Sequence, residues 1–437
     1  MENNRKHKIL LGVAIVLLVI SLIMSFTGNL AKAGPIVILF FMSLAIAVTG
    51  FNATKGLSYT VWIFTAVAAA MFYPKYFTSI GDFKFTQLVT PLLQLIMFGM
   101  GAQMSLGDFV GVIKMPKGVV VGVTAHYIIM PLVGFTIAHI FHFPPEIAAG
   151  IILIGVVPSG LASNVMSLLA RANIALAVTI GAISTLLSPF ITPLLMKWLA
   201  GQYVEVNFWS MMMDIMNMII LPIIAGFVFN LFVKKETTSH QKIVQILSYF
   251  VAILLVNLVF VKANNVDFLQ YLVHVLKNTL WFMVLPIIGA LIMAKVLKGD
   301  KKLLEKILGL ISQVGIAAII TVITASGRDN LLKVGALLII TSLLHNCTGY
   351  FLGYWISRLL RMPERDCRTL AFECGMQNGG LASGLAIGMG KAATVGLAPA
   401  IFGPLMNITG STLANYWRGR PPEDQVENTD AEQNSSS

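Results

Sequence analysis

Glu373-Cys374-Gly375-Met376-Gln377-Asn378-Gly379-Gly380 is the stretch on which the fold of this 437-residue chain turns. It lies inside an apolar run, residues 369–390, long enough to cross a bilayer, which takes roughly 20 apolar residues as a helix. Three glycines and three strongly polar side chains within eight residues predict that this helix opens partway. A second apolar run, 146–170, carries a matching interruption, Val157-Pro158-Ser159-Gly160-Leu161-Ala162-Ser163-Asn164. Pro158 cannot donate to a helical ladder and Gly160 lowers helicity, while Ser159, Ser163 and Asn164 offer oxygens where the backbone opens. Gly160-Leu161-Ala162-Ser163 recurs as Gly380-Leu381-Ala382-Ser383, so the two interruptions share a tetrapeptide.

Around these breaks the composition belongs to a membrane. Hydrophobic residues make up 57%, charged residues 11%, and mean hydropathy is +0.83. A soluble domain carries about 25% charged residues. In hydrocarbon every backbone N–H and C=O must be bonded internally, so the spans are helices or a closed barrel. Runs such as Ile147–Val157 and Gly335–Leu344 lack the alternation of a barrel strand. The sequence therefore predicts an all-α polytopic membrane protein of fourteen spans. They fall near 9–27, 35–52, 58–74, 87–104, 118–141, 146–170 and 174–199. The second seven fall near 208–233, 243–261, 270–294, 307–327, 334–357, 369–390 and 394–416. Ile9–Phe26 is longer than a signal-peptide core, and a further span follows at once, so it reads as a retained first span.

With the N-terminus inside, twenty-one of the 30 Lys and Arg residues fall on the inner side, as the positive-inside rule expects. Both termini are thus expected in the cytoplasm, and the chain in the cell's inner (plasma) membrane. Each broken span is the sixth of its seven, and seven being odd, the halves 1–203 and 204–420 are expected to be inverted repeats. Leu221-Pro222-Ile223-Ile224 recurs 64 residues later as Leu285-Pro286-Ile287-Ile288, the sign of a duplicated helical hairpin. The polar, acidic tail 421–437 reads as disordered.

Several function classes are disfavoured. The net charge of +11 sits at span ends rather than in a patch with interleaved aromatics, so no nucleic-acid partner is expected. Cys347, Cys367 and Cys374 are too scattered for a disulfide framework or a zinc site, and no cofactor is expected. Nor is there the nucleophile-and-base or metal set that an enzyme needs. Interrupted spans at corresponding positions of two halves are instead the mark of a secondary transporter's binding site. Glu373 is the one acidic side chain well inside a span, and such a carboxylate is a functional candidate. Its structural alternative is an ion pair with a nearby arginine such as Arg368. A hard monovalent cation such as Na⁺ wants about five or six oxygens. Unwound carbonyls together with Glu373, Gln377, Ser163 and Asn164 can supply them, while half-helix N-termini face an organic anion.

Glu373 to Asn378, with Ser163-Asn164-Val165 and Leu169-Ala170-Arg171-Ala172-Asn173, resembles the bile acid:sodium symporter family. Met97-Phe98-Gly99-Met100-Gly101, Ser184 to Pro189 and Asn407-Ile408-Thr409-Gly410-Ser411 strengthen the resemblance, which covers Leu57 to about Trp417. It implies a ten-helix fold of a panel and a core domain whose broken helices cross, with the first hairpin of each half doubled here. It implies one Na⁺ at Ser163, Asn164 and Glu373 plus two hydroxyls, at positions that are Ala177 and Gly181 in this chain. A second Na⁺ is implied at Glu373, Gln377 and the carbonyls of Cys374 and Met376, completed by a glutamine whose position is His126 here. With those ligands replaced, coupling falls to Na⁺ or to H⁺, the latter through Glu373 and His126, whose structural alternative is a hydrogen-bonded core histidine. Substrate contacts are implied at Asn378 and Asn407, with Leu161 and Met406 as departures from the polar residues expected there. The expected activity is cation-coupled symport of an organic anion, bile-acid-like or a small carboxylate. The competing readings are a non-pumping channel or membrane sensor, and an arsenite-type efflux carrier, which would want a cysteine where Pro158 and Ser159 stand.

Overall fold

The computed structural model describes residues 2–51, 54–104, 111–233, 239–264, 267–296 and 301–422. In chain order its helices begin with α1 (Glu2–Phe26), α2 (Gly34–Ala47), α3 (Ser58–Phe72), the single turn α4 (Lys75–Thr78) and α5 (Val89–Gln103). A second single turn, α6 (Gly111–Lys114), precedes α7 (Pro116–Ile140), α8 (Pro145–Val156), α9 (Ala162–Leu169) and α10 (Ile174–Leu195). Next come α11 (Phe208–Ile215), α12 (Leu221–Val233), α13 (Ser239–Asn264), α14 (Phe268–Thr279) and α15 (Leu285–Val296). The chain closes with α16 (Lys301–Ser326), α17 (Arg328–Leu359), α18 (Glu364–Gly375), α19 (Gly379–Gly388) and α20 (Leu397–Arg418). Apart from a two-residue-per-strand hairpin, β1 (Ser79–Ile80) with β2 (Phe83–Lys84), the described residues form an all-α membrane protein. Among them, eight helices are long and apolar enough to cross a bilayer, and five shorter apolar helices accompany them. The tail expected to be disordered lies outside the described residues from 423 onward.

The two sequence interruptions are both real breaks, displaced slightly from the residues that signalled them. Helix α8 stops at Val156 and α9 starts at Ala162, so Ser163 and Asn164 lie in the first turn after the break. Helix α18 carries Glu373 in its last turn, and the backbone is extended at Met376 before α19 begins at Gly379. The same device leads into both broken pairs. A residue in the left-handed region, His142 (φ 49°) or Arg361 (φ 53°), ends the preceding helix. A proline then caps the next one, Pro144 (φ −50°, ψ 139°) or Pro363 (φ −54°, ψ 150°).

The 64-residue repeat is also visible in backbone detail. Each Leu-Pro-Ile-Ile copy starts a helix directly after one π-type turn, Met216–Ile220 or Leu280–Val284. A proline ring clashes with the carbonyl four residues earlier, and widening the preceding turn relieves that clash. Helices α12 and α15 have 13 and 12 residues, and α13 and α16 that follow them both have 26.

Packing separates the helices into two groups. Helices α3, α5, α12, α15 and α16 form one connected group, with α2 packed on α3 and α1 on α2. The close approach of α5 to α12 needs small residues: a Cβ on Gly101 would sit 2.2 Å from the Ile223 carbonyl oxygen. The other group gathers α7, α8, α10, α17, α18 and α20 around the breaks. Its interior holds fully buried Ile152, Leu153, Phe372 and Leu381.

Gly160 is where this arrangement is least forgiving. A Cβ there would lie 2.6 Å from the Gln377 carbonyl oxygen, and backbone cannot rotate away as a side chain can. Gly160→Ala is expected to destabilise the protein by roughly 1–3 kcal/mol, the usual cost of overpacking. Gly289→Ala, which meets nothing within 4 Å, serves as the control. Thermal unfolding of both variants in detergent checks this: Gly160→Ala should melt several degrees below wild type and Gly289→Ala should not.

Candidate functional site

The two breaks meet and satisfy each other. Ser159 and Gln377 form an antiparallel bridge, in which Gly160 N–H donates to the Met376 carbonyl (3.0 Å) and Asn378 N–H donates to the Pro158 carbonyl (2.9 Å). Irregular backbone at membrane depth is tolerated only where protein or a cavity takes up its polar groups, and here each break is the other's partner. The crossing is antiparallel, so α8–α9 and α18–α19 run in opposite senses.

His126 on α7 fastens the crossing from one side. Its buried ring brings Nδ1 to 2.8 Å from the Glu373 carbonyl and Nε2 to 2.9 Å from the Val157 carbonyl. A neutral ring donates to one of these carbonyls, and an imidazolium to both, which would tie the last turn of α18 to the end of α8. Asn346 on α17 donates to the Gly375 carbonyl at 2.7 Å, taking up another carbonyl freed at the second break. Two further ties lie away from the crossing. At one end Asn173 donates through Nδ2 to Asp366 (2.8 Å) while Thr369 donates to the Asn173 carbonyl (3.1 Å). At the other, Lys391 donates to Glu146. These contacts are not readable from the sequence, because four of them depend on backbone carbonyls.

The expected cation-site residues are brought to this crossing. Ser163 Oγ donates to Glu373 Oε1 at 2.6 Å, a length typical of a hydroxyl on a carboxylate. Ser163, Glu373 and Gln377 are all buried. The Arg368 alternative is overturned. Arg368 donates to Glu364 (2.8 Å) and to the Ala170 carbonyl (3.1 Å), and its guanidinium lies over Trp417. Among the described residues no cationic side chain pairs with Glu373. At the crossing three side-chain oxygens are left buried without a hydrogen-bond partner among the described residues: Asn164 Oδ1, Glu373 Oε2 and Gln377 Oε1. Each such orphan costs about 1–3 kcal/mol, more when charged, so all three together call for a partner.

Not every expected ligand is equally free. The Cys374 carbonyl accepts from Gln377 Nε2 (2.8 Å), and the Met376 carbonyl already takes the Gly160 N–H. Ala177 and Gly181 offer no oxygen from their side chains. Gly181 does face the site, since a Cβ built on it would stand 3.8 Å from Glu373 Oε2 with room to spare. A cavity of about 30 Å³ adjoins Asn164, Ser159 and Gly181, above the 10–15 Å³ that one water needs.

The expected substrate residues line one pocket of about 310 Å³ between the two helix groups. Asn378 and Asn407 open into it, with Leu161 and Met406 beside them, and Tyr59 and Gln313 face them from α3 and α16. Asn378 also caps α19, its Oδ1 accepting from Leu381 N–H at 3.0 Å. Among the described residues the lining contains no Lys, Arg or His.

A polytopic helical protein with two crossed broken helices, an acceptor-rich crossing and an adjoining pocket is the architecture of a membrane transporter. The chain belongs to the sodium bile acid symporter family. A model of that family, described as Sodium Bile acid symporter family, matches residues 90–269. An uncharacterized sodium-dependent transporter of Bacillus subtilis (strain 168) is 32% identical over 372 residues, covering 85% of this chain and 94% of that protein. The probable sodium/metabolite cotransporter BASS1, chloroplastic, of Oryza sativa subsp. japonica is 28% identical, over 84% of this chain and 74% of its own. Its namesake in Arabidopsis thaliana is 29% identical, over 76% and 67%.

Because Glu373 has no cationic partner, neutralising it strands no buried charge. Glu373→Gln is therefore expected to express and to melt no lower than wild type in choline chloride without Na⁺. Loss of a structural ion pair would instead cost roughly 3–5 kcal/mol. A melting curve of the variant well below wild type in that medium would show that Glu373 holds the fold through a charge pair.

Proposed function

We propose that this protein is a secondary active transporter that carries a singly charged organic anion together with Na⁺. The observation that carries the reading is the set of orphaned acceptors, Asn164 Oδ1, Glu373 Oε2 and Gln377 Oε1, buried at the crossing. All three are acceptor oxygens, and a hard cation is the ligand that satisfies such a set. Relatives named as sodium-dependent transporters and sodium/metabolite cotransporters support Na⁺ as that cation. Ser163, Asn164 and Glu373 form the core of the site. Water in the adjoining cavity stands in for the hydroxyls missing at Ala177 and Gly181.

The pocket chemistry supports the substrate class. Without a fixed cation among the described lining residues, it offers an anion neutral donors, the amides of Asn378, Asn407 and Gln313 and the hydroxyls of Thr60 and Ser383, with the N-terminal ends of α9 and α19. That suits one carboxylate on an otherwise apolar body and disfavours di- and tricarboxylates. Na⁺ bound beside Glu373 compensates the substrate's charge, which links the two bindings.

The membrane arrangement proposed with this function is fourteen spans in two inverted halves of seven, with both termini in the cytoplasm. Its support is the antiparallel crossing and the shared lead-in at His142-Phe143-Pro144 and Arg361-Met362-Pro363. On that topology the pocket, which reaches Gly56 before α3, faces the cytoplasm. Coupling to H⁺ is the competing reading, favoured by His126, whose nitrogens take the Glu373 and Val157 carbonyls.

Uptake by proteoliposomes of labelled mono-, di- and tricarboxylates under a Na⁺ gradient or a pH gradient tests the proposal. A monocarboxylate should accumulate on the Na⁺ gradient alone, and Glu373→Gln should abolish it. Gly181→Ser, which adds a hydroxyl beside Glu373 Oε2, should lower the Na⁺ concentration for half-maximal uptake several-fold. Accumulation driven by the pH gradient and indifferent to Na⁺ would establish proton coupling instead.

A further inference from the structure

A second concavity, away from the crossing, lies on the outer face of α17 and α20. It has a volume of about 620 Å³ and is almost wholly apolar, walled by Tyr350, Phe351, Trp355, Ile408 and Leu413, with Trp417 at its far end. Phe351 and Trp355 are exposed, so the groove opens where lipid chains lie. The helices run in the same sense here, since Tyr350 donates to the Met406 carbonyl (3.1 Å) and Tyr354 stacks on Trp417. The groove therefore ends where both helices end, among Arg358, Arg418 and Arg420.

Charge at that mouth is unbalanced. Among the described residues the acidic group ion-paired there is Glu364, engaged by Arg368 at 2.8 Å, by Tyr354 at 2.8 Å, and only loosely by Arg358 at 3.7 Å. Arg420 stacks over Tyr416 at 3.8 Å, which holds its guanidinium at the groove's rim. Among the described residues Arg418 and Arg420 have no acidic partner. Aromatic side chains at the headgroup level with arginines beyond them complement an anionic phospholipid.

We propose that this groove is a specific site for one anionic phospholipid, its acyl chain along Phe351, Trp355 and Ile408 and its phosphate between Arg358 and Arg420. The site reaches the transport machinery from behind. Tyr350 and Trp417, which form its floor, both pack on Phe372, the residue before Glu373. Occupancy thus braces α18 against α17 and α20.

Native mass spectrometry of the full-length protein in detergent, titrated with phosphatidylglycerol or phosphatidylcholine, tests this directly. One phosphatidylglycerol should be retained in preference to phosphatidylcholine. The exposed double variant Arg358→Gln/Arg420→Gln should lose roughly thirtyfold in affinity for it, at about a kilocalorie per surface arginine. Thr412→Trp, which fills the groove and keeps both arginines, should also displace the lipid. Equal retention of the two lipids, or unchanged binding in Thr412→Trp, would overturn the site. Competition by soluble glycerol 3-phosphate as strong as by the lipid would reduce it to a phosphate contact without the groove. Binding that appears only after removal of 421–437 would show that the acidic tail is the occupant, which also overturns the proposal.

Discussion

Backbone hydrogen bonding inside hydrocarbon is the constraint from which the rest of this structure follows. A helix broken at membrane depth exposes N–H and C=O groups that lipid cannot satisfy, and each would cost several kcal/mol. Two breaks that meet antiparallel cancel much of that cost through Gly160 N–H on Met376 and Asn378 N–H on Pro158. Asn346 then caps the Gly375 carbonyl, and the His126 ring lies against those of Glu373 and Val157, one of which a neutral imidazole can satisfy. Neither break is affordable alone, which is why both halves of the chain carry one.

The same economy creates the site. Side chains that flank the breaks, Ser163 and Asn164 on one side and Glu373 and Gln377 on the other, are carried to the crossing by the backbone pairing. Ser163 meets Glu373 Oε1, but Glu373 Oε2, Asn164 Oδ1 and Gln377 Oε1 are left as acceptors facing no donor. Among the described residues four other buried polar atoms also lack partners, on Ser167, Thr279, His345 and Arg365, but the crossing alone gathers three acceptor oxygens, one of them a carboxylate's, into one deficit. In the proposed function that deficit is the driving force for cation binding, and the neighbouring pocket inherits the compensated charge.

Much of this was legible beforehand. Glycines and polar side chains inside apolar runs marked both breaks, and Pro158 with Gly160 placed the first one to within a few residues. The family resemblance, not periodicity, pointed to Asn407, which looks like an ordinary helical asparagine until the pocket is seen. For His126 the sequence leaves open a substituted ligand or a hydrogen-bonded core histidine, and the structure places its buried ring against two backbone carbonyls, partners that no side-chain pattern encodes. The Arg368 alternative failed for a reason helical geometry supplies. Glu364 lies four residues before Arg368 and shares its face, while Glu373, five residues after, is turned about 140° away at about 100° per residue. The π-type turns before Leu221 and Leu285 were equally hidden, though the repeated proline is their cause.

The most direct test of the central claim is whether Na⁺ itself binds at the crossing. Thermal unfolding of the purified protein in NaCl and in choline chloride at equal ionic strength isolates that event from transport. The account predicts a melting temperature that rises with Na⁺ concentration in the wild type and does not respond in Glu373→Gln. A wild-type protein that melts at the same temperature in both salts would contradict it.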